Sequence, residues 1–214
     1  LNLEDGMSFF DSFSEEREEE NLTVRELLTE MKDISEVIVD LAYASLLFDS
    51  NEIGDEVKHL ESKMHVLNYE IRSRTMLASR TREDAIQLSG LLQIAESAAA
   101  ISKAAGDIVG IREINPRNSP FLSFVLRDAE EKILPLTIRK SDMSGKSIDE
   151  LSVEAETGMR IIAIKRDIRW IYDPEGDTRL KENDMIIVRG TEDGFRRLRK
   201  FANGEEKWPT YPME

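Results

Sequence analysis

Apolar residues recur at steps of three and four through the first half of the chain. Thr23-Val24-Arg25-Glu26 has the sequence of a capping box, in which a hydroxyl and a carboxylate satisfy free amides at a helix start. No glycine or proline interrupts the stretch from Thr23 to Phe48. Its apolar stripe comprises Leu27, Met31, Ile34, Ile38 and Leu41, widened by Leu28, Val37 and Leu46. This pattern predicts a helix of roughly 39 Å.

The same period predicts two further helices. Asp49-Ser50-Asn51 supplies a turn and a new cap, and the charged segment 80–84 ends the second helix. The second stripe is Ile53, Val57, Leu60, Met64, Leu67 and Ile71, and the third is Ala85, Leu88, Leu92, Ala95, Ala99 and Ile101. Long helices with short connections predict an antiparallel, up-down-up bundle over residues 22–113. Because three helices make a thin core, we expect two bundles to pair in a homodimer.

A linker with two prolines separates this bundle from a second domain. Pro116 and Pro120 each remove an amide donor and disfavour helix at the preceding residue, so the third helix must end near Glu113. We place the linker at residues 114–132 and expect a short helix within it, over 121–132.

Short apolar runs in the second domain predict strands. The run 133–138 contains Pro135 and is placed at a sheet edge, whereas 161–164 is apolar on both faces, as in a buried central strand. Residues 168–172 follow across a tight turn at Arg166-Asp167, and 185–188 form another buried strand.

Helix signals complete the second domain. Ser147 and Glu150 predict a capped short helix within 144–151, and Thr191 caps an amphipathic helix. The order β-α-β-β-β-α predicts a small domain over 133–204 with a mostly antiparallel sheet, followed by a tail over 205–214. The whole chain is therefore predicted to be a two-domain α+β protein.

Composition narrows the function. The formal net charge of −14 argues against nucleic-acid binding, because phosphate recognition needs a basic surface. Residues 1–20 hold eight acids against Arg17 alone, which predicts a flexible acidic lead-in over 1–21. The sequence has no cysteine, no apolar run of roughly 18 residues and no signal-peptide pattern. We expect a cytoplasmic protein without direct membrane insertion, peripheral to a membrane only through a partner.

No catalytic set of side chains suggests itself. His59 and His65 are the only histidines, and both lie in the second predicted helix. Ser144-Gly145-Lys146-Ser147 lacks the first glycine of a phosphate-binding loop, and no G-x-G-x-x-G occurs. We therefore predict that the protein is not an enzyme.

Several pieces of the second domain occur in a characteristic order. They are Gly145–Leu151, the strand Ile161–Arg166, the loop Asp173-Pro174 to Asp177, and the strand Asp184–Gly190. Together they resemble the regulatory C-terminal domain of potassium channels and Trk-type transporters, the TrkA-C or RCK C-terminal domain. The resemblance implies ligand-sensing regulation of potassium or other cation transport, with a membrane channel or transporter as partner.

The resemblance also implies a ligand. In related domains two copies pair, and some bind cyclic di-AMP in the cleft between them. The matching residues here are Ile161, Ala163 and Arg166. An arginine suits phosphate because its planar fork donates two charged hydrogen bonds. The implied ligand is cyclic di-AMP or another small anion, and the alternative is that Arg166 is an exposed strand-end arginine without a ligand.

The helices resemble one repeat of a PhoU-like bundle over residues 22–113. The resemblance rests on Leu28…Met31, Ala42-Tyr43-Ala44, Asp55-Glu56-Val57…Glu61, Asn68–Ile71, Glu96 and Gly106-Asp107. PhoU-like helices carry Glu-x-x-x-Asp pairs that bind metal clusters. Here Glu61 is followed by His65, and Glu96 is followed by Ala100, so each pair has lost a carboxylate.

Because each pair has lost a carboxylate, we predict that the bundle binds no metal. Glu61, His65 and Glu96 are the only weak candidates for metal ligands. Asp55 and Glu56 are predicted to face solvent. The PhoU-like resemblance also leaves an alternative function, an adaptor in phosphate-transport signalling.

Overall fold

The computed structural model describes residues 22–114 and 129–209. An N-terminal three-helix bundle precedes a small domain with a four-stranded antiparallel sheet, so the predicted two-domain α+β fold is confirmed. The bundle helices are α1 (Val24–Leu47), α2 (Asn51–Ala78) and α3 (Arg82–Ile114). The acidic lead-in and most of the predicted linker helix lie outside the described residues.

The helix starts follow from the predicted caps. The Thr23 hydroxyl accepts from the Glu26 amide at 3.3 Å, and the Glu26 carboxylate accepts from the Thr23 amide at 2.6 Å. Contacts of Glu30 with Lys63, at 2.7 Å, and of Arg72 with Glu96 join neighbouring antiparallel helices.

The second domain runs through four strands and three helices within its described residues. These are β1 (Lys132–Thr137), α4 (Ile148–Leu151), α5 (Val153–Thr157), β2 (Met159–Arg166), β3 (Arg169–Tyr172), β4 (Met185–Gly190) and α6 (Glu192–Ala202). The strand order is β1-β4-β2-β3 with every pair antiparallel. As predicted, the proline-containing β1 lies at an edge, whereas β2 and β4 are central.

Two local predictions need correction. Arg166 pairs with Arg169, so the hairpin turn is Asp167-Ile168 rather than Arg166-Asp167. Asp167 adopts a φ of 54°, and Ile168, which was assigned to a strand, is 92% exposed at the turn. The helix α5 was not predicted; it begins after Ser152 takes a left-handed φ of 48°, which separates it from α4.

Both faces of the sheet are covered, but by different domains. Ile161, Ile164, Ile186 and Val188 form the far face, in one core cluster with residues of α4, α5 and α6. Ile162, Ala163 and Ile187 form the bundle face, in one cluster with the bundle core. Helix α1 contacts β1, β2 and β3. The apolar residues on both sides of β2 therefore belong to a strand that is buried on both faces, as predicted.

A β-bulge in β2 makes this arrangement possible. Ile161 pairs with Val188 and Ala163 pairs with Ile187, so Ile162 is the additional residue between them. Such a bulge locally breaks the in–out alternation of a strand. As a result, the consecutive residues Ile162 and Ala163 both belong to the bundle-face cluster.

Candidate functional site

Arg166, the residue predicted to meet an anion, is paired within its own domain. It ends β2, and its Nε and Nη2 atoms donate to Oδ1 and Oδ2 of Asp184 at 2.9 and 2.7 Å. Asp184 directly precedes β4 and is 1% exposed. The Lys181 amide donates to the same carboxylate at 2.8 Å. The two-pronged geometry that was expected for a phosphate is thus formed with a buried carboxylate.

A second arginine extends this pair to the start of α4. Arg166 Nη2 donates to the Arg179 carbonyl at 2.7 Å, and Arg179 Nη2 lies 3.0 Å from Oε1 of Glu150, the capping glutamate of α4. The Asp184 hydrogen bond raises the pKa of Arg166 above its ordinary value. The separate pieces of the sequence motif therefore meet in one charged network at the end of the sheet.

The other two predicted ligand residues do not share a surface with Arg166. Ile161 is 6% exposed on the far face, and Ala163 is 0% exposed on the bundle face. The Arg166 side chain is 25% exposed. Within one chain, the three residues are therefore not brought together in a ligand pocket.

Basic residues of the sheet meet acidic residues of the bundle. Arg189 Nη1 lies 3.0 Å from Oδ2 of Asp40, and Arg160 Nη2 lies 3.8 Å from Oε2 of Glu36. Lys165 also forms an ion pair with Glu52. These three pairs join β2 and β4 to α1 and α2, and they surround the apolar contact of the bundle face.

Tyr172 adds a neutral donor to this contact. Its hydroxyl donates to the Glu56 carboxylate, so the prediction that Glu56 faces solvent is wrong. Asp55, for which the same prediction was made, is exposed. The two residues differ because successive positions on α2 point in different directions, and only Glu56 faces β3.

A polar cavity of about 260 Å³ lies between α1 and the sheet. Its charged lining consists of Glu36, Asp40, Asp173, Arg160 and Arg189. Arg160 Nη2 donates to Oδ1 of Asp173 at 2.8 Å, so each arginine already has a carboxylate partner. The cavity is smaller than most pockets for organic ligands and suits ordered water or a very small polar molecule.

Two carboxylates at this contact have perturbed acidity. Burial raises the pKa of Asp40, and the nearby Arg189 opposes that rise without cancelling it. Burial also raises the pKa of Glu56. Both carboxylates therefore accept a proton more readily in the folded protein than a fully exposed carboxylate does.

The weak metal candidates do not form a metal centre. His65 Nε2 lies 4.0 Å from Oε1 of Glu61, and Glu96 contacts Arg72 instead of a second acid. Within residues 22–114 and 129–209, no group of three or more acidic or histidine side chains is placed to hold a metal ion. No helix in these ranges is long and apolar enough to cross a membrane.

Sequence reasoning missed the contact between the domains, although a signal for it existed. Glu36 and Asp40 are four apart on α1, and Glu52 and Glu56 are four apart on α2, so each pair shares a helix face. The basic residues Arg160, Lys165 and Arg189, which lie in the otherwise apolar strands β2 and β4, were the complementary part of this signal. Only the fold shows that these two sets face each other.

Comparison with known families identifies the second domain. Residues 136–203 match the family model of the TrkA-C domain. They therefore form a TrkA-C domain, which confirms that part of the resemblance. The PhoU-like resemblance of the helices stays a prediction.

A curated relative is Potassium channel protein 1 of Methanocaldococcus jannaschii. This chain is 24% identical to it over 94 residues, which is 44% of this chain and 28% of that protein. The chain thus spans little more than a quarter of the relative's length.

Among solved structures, the chain is similar to two domains that contain cyclic di-AMP. The RCK_C domain dimer of S. agalactiae BusR is 28% identical, with 35% of this chain and 93% of that chain covered and a TM-score of 0.33. The RCK C domain of the potassium transport protein KtrA is 30% identical, with 39% and 96% covered and a TM-score of 0.32.

Proposed function

We propose that the protein is a non-catalytic regulatory or accessory subunit of potassium, or another cation, transport across a membrane. The observation that carries this proposal is the TrkA-C domain at residues 136–203. The similarity to a potassium channel protein supports potassium as the transported ion. The protein acts in the cytoplasm as a homodimer, and a membrane channel or transporter is its partner.

The contact between the two domains supports a mechanical route for the signal. Helix α1 packs on three strands of the sheet, and Asp40 and Glu36 pair with basic residues of β4 and β2. A ligand that shifts β2 or β4 must either carry α1 with it or break these pairs, because packed interfaces switch between discrete arrangements rather than deform continuously. The bundle therefore reports the state of the TrkA-C domain to the partner.

The proposed ligand is cyclic di-AMP or a related small anion, bound between two TrkA-C domains near Arg166. Ile161 and Ala163 shape the strand from within the core, and the exposed quarter of the Arg166 side chain meets the ligand. Asp184 holds the guanidinium in place. The ligand assignment comes from the family resemblance and from the chemistry of arginine with phosphate.

The Arg166–Asp184 pair decides how ligand binding is tested. Arg166→Ala would leave a buried carboxylate without its partner, so lost binding could reflect a damaged fold. Arg166→Lys keeps the charge and removes the fork. Arg169→Lys, on the exposed partner position of β3, is the matched control.

Calorimetric titration with cyclic di-AMP, with thermal unfolding measured in parallel, provides the readout. We expect binding to the wild type, at least about tenfold weaker binding to Arg166→Lys, and unchanged binding to Arg169→Lys. No heat with the wild-type protein would contradict this ligand.

Deletion of the protein in its native organism tests the transport role. We expect altered potassium uptake, measured with rubidium as tracer, and unchanged phosphate uptake. The alternative function, a phosphate-transport adaptor, rests on the PhoU-like resemblance of the helices. It predicts altered phosphate uptake and unchanged potassium uptake. Unchanged uptake of both ions would contradict both functions.

A further inference from the structure

Helix α3 has two apolar stripes, and the bundle covers only one of them. The covered stripe packs against α1 and α2 and consists of Ala95, Ala98, Ala105 and Val109, with the buried polar residue Ser102 among them. The other stripe is open to solvent to a large extent: Ile94 is 60% exposed, Ile101 43% and Ile111 42%. A helix that is apolar on two sides is typical of the interior of a larger helical assembly.

The open stripe has a heptad repeat. Ile94, Ile101 and the partly buried Ile108 are seven residues apart, and Gly90, Ser97 and Ala104 form a second series with the same spacing. The two series alternate at steps of four and three, which is the spacing of a seam between paired helices. No charged residue occupies a position of this stripe between Gly90 and Ile111.

From this pattern we propose that the open stripe of α3 packs against the same stripe of a second copy of this chain, antiparallel and about a two-fold axis midway between Ser97 and Ile101. In that register Ile94 of one copy opposes Ala104 of the other. Ile101 then opposes Ser97, and Ile108 opposes Gly90. Each of these three isoleucines therefore meets a small residue, as close helix packing requires.

The second copy is favoured over other occupants because the pattern complements itself. An isologous two-fold interface must fit its own surface, and a parallel register would instead place isoleucine on isoleucine and glycine on glycine. A chain with a net charge of −14 repels its own copies, so an uncharged seam is the surface through which they can approach.

The neighbouring surface has room for the partner helix. A groove of about 400 Å³ runs between α1 and α3, lined by Leu28 and Lys32 on one side and by Gln93 and Ile94 on the other. In the antiparallel register, Gln93 lies within two residues, about 3 Å along the helix axis, of the level of Asp107 of the other copy. Both residues are exposed, and an amide there can donate to the carboxylate.

This inference specifies the face that forms the proposed homodimer, but it depends on neither the ion nor the ligand. A dimer held only by the TrkA-C domains would leave the α3 stripe open. The experiments must therefore report the register of α3 as well as the mass of the assembly.

Disulfide trapping reports that register, because the chain has no cysteine of its own. Full-length Ile94→Cys protein is mixed with full-length Ala104→Cys protein and oxidised mildly. We expect a mixed disulfide-linked dimer, since the two positions oppose each other. Ile94→Cys alone should cross-link poorly, because its two copies lie about 15 Å apart along the helices, beyond the reach of a disulfide.

Cross-linking of Ile94→Cys with itself would overturn the antiparallel register. No cross-link in any mixture would overturn the α3 seam itself. If potassium uptake still depended on the protein, the regulatory role would survive that failure. Conversely, a trapped seam without a transport phenotype would leave this interface standing and overturn the transport role.

Sedimentation of point variants provides an independent measurement. Ile101→Glu places a charge in the centre of the seam, whereas Ser89→Glu places the same charge on another exposed side of α3. We expect the dimer dissociation constant to rise at least about 100-fold for Ile101→Glu and to change less than about threefold for Ser89→Glu. Equal dimerisation of both variants and the wild type, or a monomeric wild type, would overturn the proposal.

Discussion

The far face of the sheet packs against α4, α5 and α6 of its own domain, whereas the bundle face packs against a helix of the other domain. The cluster at the far face is built from large apolar side chains, among them Leu198 and Phe201. The bundle face is apolar only at its centre and is surrounded by ion pairs such as Arg189 with Asp40. The first resembles a domain core, and the second resembles an interface between domains that can separate.

This comparison suggests how a signal can leave the domain without unfolding it. On unfolding, the bundle-face contact should break before the far-face contact. It has the smaller apolar area and the larger share of exposed ion pairs, and such pairs contribute little stability. The chain has one tryptophan near each face, whose fluorescence can report on that face. Trp170 lies at the bundle face, and Trp208 packs on Phe201 at the far face, with ring centroids 4.7 Å apart.

The largest expected effect is at the far face. Leu198→Ala removes a side chain that is 0% exposed and should lower the free energy of unfolding by about 2–5 kcal/mol. Urea unfolding followed through Trp208, in a Trp170→Phe background, measures this loss. Leu77→Ala, at a position 80% exposed, is the control and should change stability by less than about 0.5 kcal/mol.

The next effect separates the two faces. Ile162→Ala should weaken docking of the bundle by about 2 kcal/mol, because Ile162 is 5% exposed and packs against the bundle core. Trp170, in a Trp208→Phe background, should then change its emission at a lower urea concentration than Trp208 does in the complementary background. Coincident transitions of the two reporters would show that the faces unfold as one unit.

A smaller effect tests the ion pairs around the bundle face. Arg189→Gln removes the partner of Asp40 and should weaken docking by about 1 kcal/mol, with a reduced dependence on salt. Arg196→Gln is the control, because its pair with Asp193 lies on the exposed side of α6. An equal shift of the Trp170 transition in both variants would contradict a specific role for these pairs.

The smallest effect concerns pH. Because burial raises the pKa of Asp40 above its ordinary value of 3.8, the folded state binds more protons than the unfolded state just above that pH. The Asp40 contribution to stability therefore falls as pH rises from 3.8 through the raised pKa and is constant above it.

Asp40→Asn should remove this contribution. The difference in Trp170 unfolding midpoint between wild type and variant, measured from about pH 4 to pH 7, should change across that window and then stay level. A difference that does not vary with pH would show that Asp40 titrates normally in the folded protein.

The sequence predicted local elements better than the contacts between them. Thr23, Ser147 and Thr191 cap helices as expected, because a cap depends on residues within one turn. The turn lies at Asp167-Ile168, one residue later than predicted, since a tight turn and a strand end compete for the same positions. For the candidate site, the sequence identified Arg166 but not Asp184 as its partner, because 18 positions separate them in the chain.

The sequence by itself determined the three long helices, the edge position of β1 and the TrkA-C motif. All of these follow from periodicity, caps or residues close together in the chain. Only the tertiary structure decided that α1 covers the bundle face, that Glu56 meets Tyr172 and that one apolar side of α3 stays open. An apolar stripe shows that a surface must be buried, but its partner depends on the packing of the whole chain.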